Sequence, residues 1–440
     1  MDSFSAHEPD IADLLAARPA LAMDAQAGLL FEGVPLNAIA DSIGTPSWVY
    51  GAGSVRGQIS RLKTALDAAP VKAHIHYAVK ANDHLAILAL MRGQNLGADV
   101  VSQGEMRRAL RAGIAARDIV FSGVGKSAEE ISAALGAGIG QINAESAEEL
   151  AMIAAIAQGQ NATAHVVLRM NPDIDAGTHA KITTGVAGNK FGIPAADIPA
   201  LYAHAARLPG LHVAGLALHI GSQILSPAPY RAAYEIAADM IAALRAQGQI
   251  VETLDLGGGL GIGYGDDPGL SVAAYAHMIA QTVGALDVAL MIEPGRFLIG
   301  PAGLLLASVN LVKHAGGKRF IVLDAAMNDL LRPALYDSYH GILPLSAVDM
   351  RGQASLADIV GPVCESSDMF AADRLMPELA LQSRVAILDA GAYGAVMSST
   401  YNARPLAAAV LIDAGQYKVI RPRQRIEALW ADEQIPDFST

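Results

Sequence analysis

Five short stretches of the chain carry side chains able to do chemistry. HYAVKAND puts Lys80 at the tip of an apolar, β-branched run. Alternation along that run sets Lys80 on one face with Ala78 and His76, opposite Tyr77 and Val79. Burying an unpaired ammonium is expensive. A lysine there either reaches solvent, meets a carboxylate, or uses an amine made nucleophilic by burial to form a covalent bond. HIGSQ offers His219 and Ser222, and the imidazole is either a satisfied core histidine or a ring that stacks on a flat ligand. LDLGGG ends in three glycines, including Gly258, that either make a tight turn or bring backbone N–H groups close to an anion. No G-x-G-x-x-G register fits, because each breaks at Ile262, Tyr264 or Asp266, and no P-loop lysine follows. EPGR supplies Glu293, Gly295 and Arg296, with Glu293 facing either a ring nitrogen or Arg296. GPVCESSD holds Cys364, the only cysteine, next to Glu365. Cys364 is either a small buried hydrophobe or a thiol placed for chemistry.

An amine, a flat ring, a carboxylate and two glycine loops describe one ligand: a planar, phosphorylated ring bearing an aldehyde. Pyridoxal 5′-phosphate fits that description and acts as an electron sink at the α-carbon of amino acids.

The elements that must position these groups are legible as alternating short apolar runs and Ala/Leu-rich helical runs. Strands are expected at 74–80, 96–102, 118–123, 140–144, 164–171, 213–221, 252–259 and 288–295. Eight β-then-α units predict a parallel sheet closed into a (β/α)₈ TIM-like barrel, with an open doubly wound sheet as the alternative. In a barrel, function gathers where strands end, and the loops after strands seven and eight commonly hold phosphate. Beyond about residue 300, runs such as KRFIVLDAA and AAVLIDAGQYKVIRPR follow one another without long helices, which predicts a mostly β second domain. The expected division is an N-terminal segment 1–45 packing with the β domain, a cofactor-binding barrel 46–300, and a β domain 301–440.

A net charge of −12 argues against a nucleic-acid groove. One cysteine excludes an intrachain disulfide and fits a reducing cytoplasm. The acidic start MDSFSAHEPDIADLL lacks a secretory pattern, and the longest uncharged apolar run, 297–312, is too short and too rich in Gly and Pro for a bilayer. The expectation is a cytoplasmic protein with neither membrane nor nucleic-acid partner and no metal site.

HYAVKAND, HIGSQ, LDLGGG, EPGR, GPVCESSD and DAGAYG occur in this order, and the chain from about 45 to 425 resembles the fold-type III pyridoxal-phosphate decarboxylases. The resemblance is nearest to members acting on meso-2,6-diaminopimelate to give L-lysine. It implies that Lys80 bonds the cofactor, His219 stacks on the pyridine, Ser222, Gly258 and Gly295 hold phosphate, and Glu293 keeps the ring nitrogen protonated. It also places Asp99 near the cofactor and Tyr393 of DAGAYG against cofactor and substrate. MNDLLRPALYDSYH, with Arg332 and Tyr336, is similar to the family's substrate segment. A substrate with an amino-acid group at each end needs its distal carboxylate held, and arginine forks at Arg296 and Arg332 suit it. Glu365 would take the distal ammonium, and Cys364 would act as general acid from a neighbouring subunit, which implies a homodimer. Sister decarboxylases for ornithine, lysine, arginine or a carboxylated polyamine are the alternative. A racemase-like enzyme would have no use for GPVCESSD, and a non-catalytic cofactor carrier would lack the β domain.

Overall fold

The computed structural model describes residues 9–177, 184–185 and 188–438. Eight strands, Ala73–Ala78, Gly97–Val100, Ile119–Phe121, Gln141–Ala144, Ala164–Asn171, Leu211–Ala217, Thr253–Asp255 and Ala289–Ile292, pair in parallel, each with the next. The eighth returns to the first, with Ile292 opposite Ile75, so the sheet closes as a (β/α)₈ barrel and is not an open wound sheet. Both faces of these strands are covered. That is why Val166, Val167, Leu168 and Met170 are all buried, and why the sequence shows apolar runs and not polar alternation.

The helices begin where polar caps dictate. Ser102, Ser127 and Ser146 each accept from the backbone N–H three residues on, at Glu105, Glu130 and Glu149. Such caps are each worth about 1 kcal/mol, and they fix the loops that leave the strand ends. The compact unit containing the barrel runs 55–263 and 267–300.

The second unit comprises the chain through Ser54, Tyr264–Asp266 and Pro301 onward. Its nine-stranded sheet contains the long strand Gly303–Ala315, which pairs successively along its length with Ser47–Gly51, Arg384–Ile387 and Lys318–Leu323. Ser47–Gly51 is flanked in turn by Ala408–Asp413. A strand inside the span expected for the barrel therefore belongs to the β sheet. Its five residues are all buried, and it is hydrogen-bonded on both edges. From the N-terminal segment, Leu14, Leu29, Phe31, Leu36 and Ile39 share one apolar core with Val49, Leu304, Leu343, Leu388 and Val410. Residues 1–8 of the acidic start lie outside the described residues. The texture after 300 is not purely β. RPALY forms the short helix Arg332–Tyr336, with Pro333 in its first turn, where a missing N–H costs nothing.

Among the described residues, no helix is long and apolar enough to cross a membrane. Among the same residues, no cluster of three or more His, Cys, Asp or Glu side chains is arranged to hold a metal ion.

Candidate active site

The barrel unit gathers eight of the expected residues at its strand ends. The first strand stops at Ala78, and Val79–Ala81 form a 3₁₀ turn that carries Lys80. Strand alternation therefore does not set the direction of Lys80, contrary to the sequence expectation. The turn delivers its Nζ to Asp99 Oδ2 at 2.6 Å, with Asp99 at the end of the second strand and fully buried. Asp99 Oδ1 has no hydrogen-bond partner among the described residues. Glu105, on the following helix, accepts from Val101 N–H, and burial together with the Asp99 charge lifts its pKa to about 7.

His219 follows the sixth strand. Its Nδ1 accepts from Gly258 N–H at 3.3 Å, which leaves the ring proton on Nε2. Burial, with Lys80 and Arg169 nearby, pushes its pKa down to about 3, so the ring is uncharged. The 3.9 Å approach of His219 to Glu293 is accordingly not an ion pair. Arg169, on the fifth strand, pairs with Glu145 at 2.7 Å and donates to His219 O, while Thr184 donates to the same carbonyl. The backbone that presents the imidazole is thus fixed twice.

Glu293 follows the eighth strand directly. The turn after it sends Arg296 to Ser222 Oγ at 3.0 Å. Glu293 meets two residues that sequence reasoning missed. Asn143 Nδ2 lies 3.2 Å from Asp255 Oδ2 and 3.5 Å from Glu293 Oε1, and the two carboxyl groups hydrogen-bond each other. Asp255 Oδ1 also accepts from Gly257 N–H. Two buried carboxyls in contact cannot both ionise. Burial first, then mutual repulsion, pushes Asp255 well above the usual carboxylate range, and burial with the Asp99 charge lifts Glu293 to about 7. The available signal for both was an Asp or Asn beside a leucine or isoleucine in a short strand, in TLD and QINA.

The two expected phosphate glycines are close-approach positions. A Cβ on Gly258 would sit 2.2 Å from Glu293 O, and one on Gly295 would sit 3.0 Å from Ala81 Cβ.

These residues fit pyridoxal phosphate. They offer an amine for its aldehyde, a neutral ring for its face, a carboxyl whose ionisation a ring cation would restore, and a buried carboxylate oxygen still lacking a donor.

The raised Glu293 pKa has a measurable consequence. A group that holds its proton more tightly when folded contributes stability below about pH 4.5, and that stability is lost as pH rises through about 7. In protein stripped of cofactor, Tm should fall across this window more steeply in wild type than in Glu293→Gln. Equal slopes would refute the shift.

The β unit holds the remaining residues. Arg332 is buried on its short helix, donating to His340 Nε2 at 2.8 Å and Ser338 Oγ at 3.2 Å, with its guanidinium 4.7 Å from the Tyr264 ring centroid. Tyr336 closes the same helix and is half-buried. Tyr393 takes a left-handed backbone (φ 55°), as does Asp389 in the same DAGAYG loop (φ 53°). Such conformations cost energy in residues other than glycine and concentrate at functional loops. Cys364 and Glu365 are exposed at a turn. Buried Asp368 ties that turn down, accepting from Val363 N–H and Met327 N–H at 2.7 Å each, while Asn402 Oδ1 accepts from Cys364 N–H. Glu365 accepts from Ser367 and Tyr401. The thiol is thus presented on a braced surface turn, not packed as a core hydrophobe.

Residues 52–300 match the family model described as the pyridoxal-binding domain of pyridoxal-dependent decarboxylases. A diaminopimelate decarboxylase of Zymomonas mobilis is 49% identical over 92% of this chain and 96% of its own length. One from Neisseria meningitidis serogroup A is 44% identical, covering 92% and 98%. Among solved structures, the Helicobacter pylori diaminopimelate decarboxylase complexed with L-lysine superposes with a TM-score of 0.86 at 38% identity, covering 90% and 98%. The enzyme from M. jannaschii does so at 0.90 and 32%, covering 96% and 99%. With a barrel carrying Lys80, His219 and Glu293 at its strand ends and relatives this close over nearly its whole length, the chain belongs to the diaminopimelate decarboxylases, a family of pyridoxal-dependent decarboxylases.

Proposed function

We propose that this chain converts meso-2,6-diaminopimelate to L-lysine and carbon dioxide. Pyridoxal phosphate, when bound, supplies the electron sink for the broken carbon–carbon bond. The observation that carries the assignment of roles is Lys80, the one amine among the expected site residues, held 2.6 Å from a fully buried carboxylate of the barrel. Lys80 would hold the aldehyde, with Asp99 balancing its charge. His219 offers a neutral face, and Glu293, with Asp255 and Asn143 behind it, takes or yields a proton toward the ring nitrogen. Ser222, Gly258, Gly295 and Arg296 would seat the phosphate end, and Tyr393 would contact cofactor and substrate.

On the substrate side, Arg332, with Arg296, binds carboxylate, Tyr336 lines the segment, and Glu365 takes the distal ammonium. After carbon dioxide leaves, the proton delivered to the α-carbon comes from Cys364 Sγ. The exposure and bracing of that turn support a homodimer in which Cys364 and Glu365 serve the neighbouring subunit's site. A single unpaired thiol and a biosynthetic amino-acid reaction support a cytoplasmic location.

Carbon dioxide release measured over diaminopimelate, ornithine, lysine and arginine tests the reading. Turnover confined to diaminopimelate is expected, and preference for a substrate with one carboxylate would refute it. Arg332→Ala should raise KM for diaminopimelate roughly 10- to 100-fold, the loss of one charge-assisted fork, with a smaller change in kcat. An unaltered KM would mean that the distal carboxylate is held elsewhere.

A further inference from the structure

We infer that His340 is the positioning residue for Arg332: its neutral ring holds the guanidinium in the orientation that receives the substrate's distal carboxylate. The inference rests on the reading of Arg332 given above. The helix Arg332–Tyr336 ends at Asp337, whose left-handed backbone (φ 50°) turns the chain back, and three residues later His340 lies beside the arginine, 1% exposed.

The ring is fixed at both nitrogens. Nδ1 lies 2.7 Å from the carbonyl oxygen of Leu388, which can only accept, so Nδ1 carries the proton. Nε2 lies 2.8 Å from an Arg332 terminal nitrogen, which can only donate, so Nε2 offers its lone pair. Only the neutral imidazole with its proton on Nδ1 satisfies both bonds. Arg374 donates to His340 O at 3.0 Å, which holds the backbone beneath the ring.

Two further uncharged groups touch the guanidinium. Ser338 accepts from it, and the Tyr264 ring lies against it while meeting His340 edge-on, with ring centroids 5.3 Å apart. Asp389, next to Leu388, is paired with Arg18, which donates to it through Nε at 2.9 Å, and it acts on Arg332 only as a more distant charge. A neutral acceptor orients a guanidinium without cancelling its charge. A carboxylate in the place of His340 would compete with the substrate. This division of labour explains a buried histidine that the decarboxylation chemistry itself does not use.

The test is a double-mutant cycle read as KM against kcat, with inhibition constants beside it. His340→Leu should raise KM for diaminopimelate about tenfold, the effect of misorienting one charge-assisted bond, while kcat falls less than about threefold. His340→Gln, which can present an oxygen near Nε2, should recover most of that loss and guards against a folding defect. L-lysine keeps the distal carboxylate, so its inhibition constant should rise in parallel, whereas that of cadaverine, which has no carboxylate, should not. On an Arg332→Ala background, His340→Leu should add little further, as expected of residues acting as one unit. Additive losses, or a cadaverine constant that moves with that of lysine, would overturn the role of His340. An Arg332→Ala enzyme with wild-type KM would instead sink the reading of Arg332 and this inference with it. An affected Arg332→Ala beside an unaffected His340→Leu would overturn the role of His340 alone.

Discussion

Lys80→Ala is expected to yield a colourless protein whose turnover falls by at least about a thousandfold, because the amine that holds the cofactor's aldehyde is gone. The substitution acts twice. It removes the covalent anchor, and it leaves Asp99, fully buried, without its 2.6 Å cation. Breaking a buried pair from one side costs about 3–5 kcal/mol when the remaining charge stays uncompensated. Lys80→Ala should therefore also melt earlier than wild type, and Lys80→Ala with Asp99→Asn should regain part of the difference. Borohydride reduction followed by peptide mass analysis decides the anchor. A cofactor-mass addition that survives in Lys80→Ala would eliminate Lys80.

Cys364→Ala separates proton delivery from cofactor binding. The variant should remain yellow and keep its melting temperature, since the side chain is exposed and the turn is held by Asp368 and Asn402. Its turnover should fall roughly 10²- to 10⁴-fold, the usual worth of a positioned general acid. Wild-type rates would reduce Cys364 to a bystander. Mixing Cys364→Ala with Lys80→Ala subunits tests the homodimer directly. If the thiol serves the neighbouring subunit's site, hybrids carry one intact site each, and the mixture regains about a quarter of wild-type activity. If it serves its own subunit, no hybrid is active.

Much of the barrel was legible because strands buried on both faces must be apolar, and all eight runs surface as β-branched clusters between helical text. What escaped notice is where those strands stop. HYAVK reads as one continuous strand, yet the ladder ends at Ala78 and a 3₁₀ turn delivers the lysine, a choice made by neighbouring strands and not by propensity. The charged residues at strand ends announced themselves by the cost of burying them. Asn143 and Asp255 did not, because their role depends on partners remote in sequence: Asn143 meets Asp255 and Glu293 from 112 and 150 residues away. The reach of Arg296 to Ser222, 74 residues away, is equally absent from the text of EPGR. The domain boundary was hard to place for a related reason. SWVYG looks like any barrel strand, and only its partners far along the chain show which sheet it joins.

That last strand has a consequence for biosynthesis. Ser47–Gly51 emerges from the ribosome early, but its two ladder partners begin at Gly303 and Ala408. At about 5–20 residues per second, Trp48 and Val49 wait on the order of tens of seconds for both neighbours, while the intervening barrel already has all eight of its strands. Until those partners are made, Leu29, Phe31 and Val49 lack the residues Leu304, Leu343, Leu388 and Val410 that share their core in the folded chain. Slowed translation beyond residue 300 should make this chain more dependent on holdase chaperones than a barrel of equal length whose partners lie close in sequence.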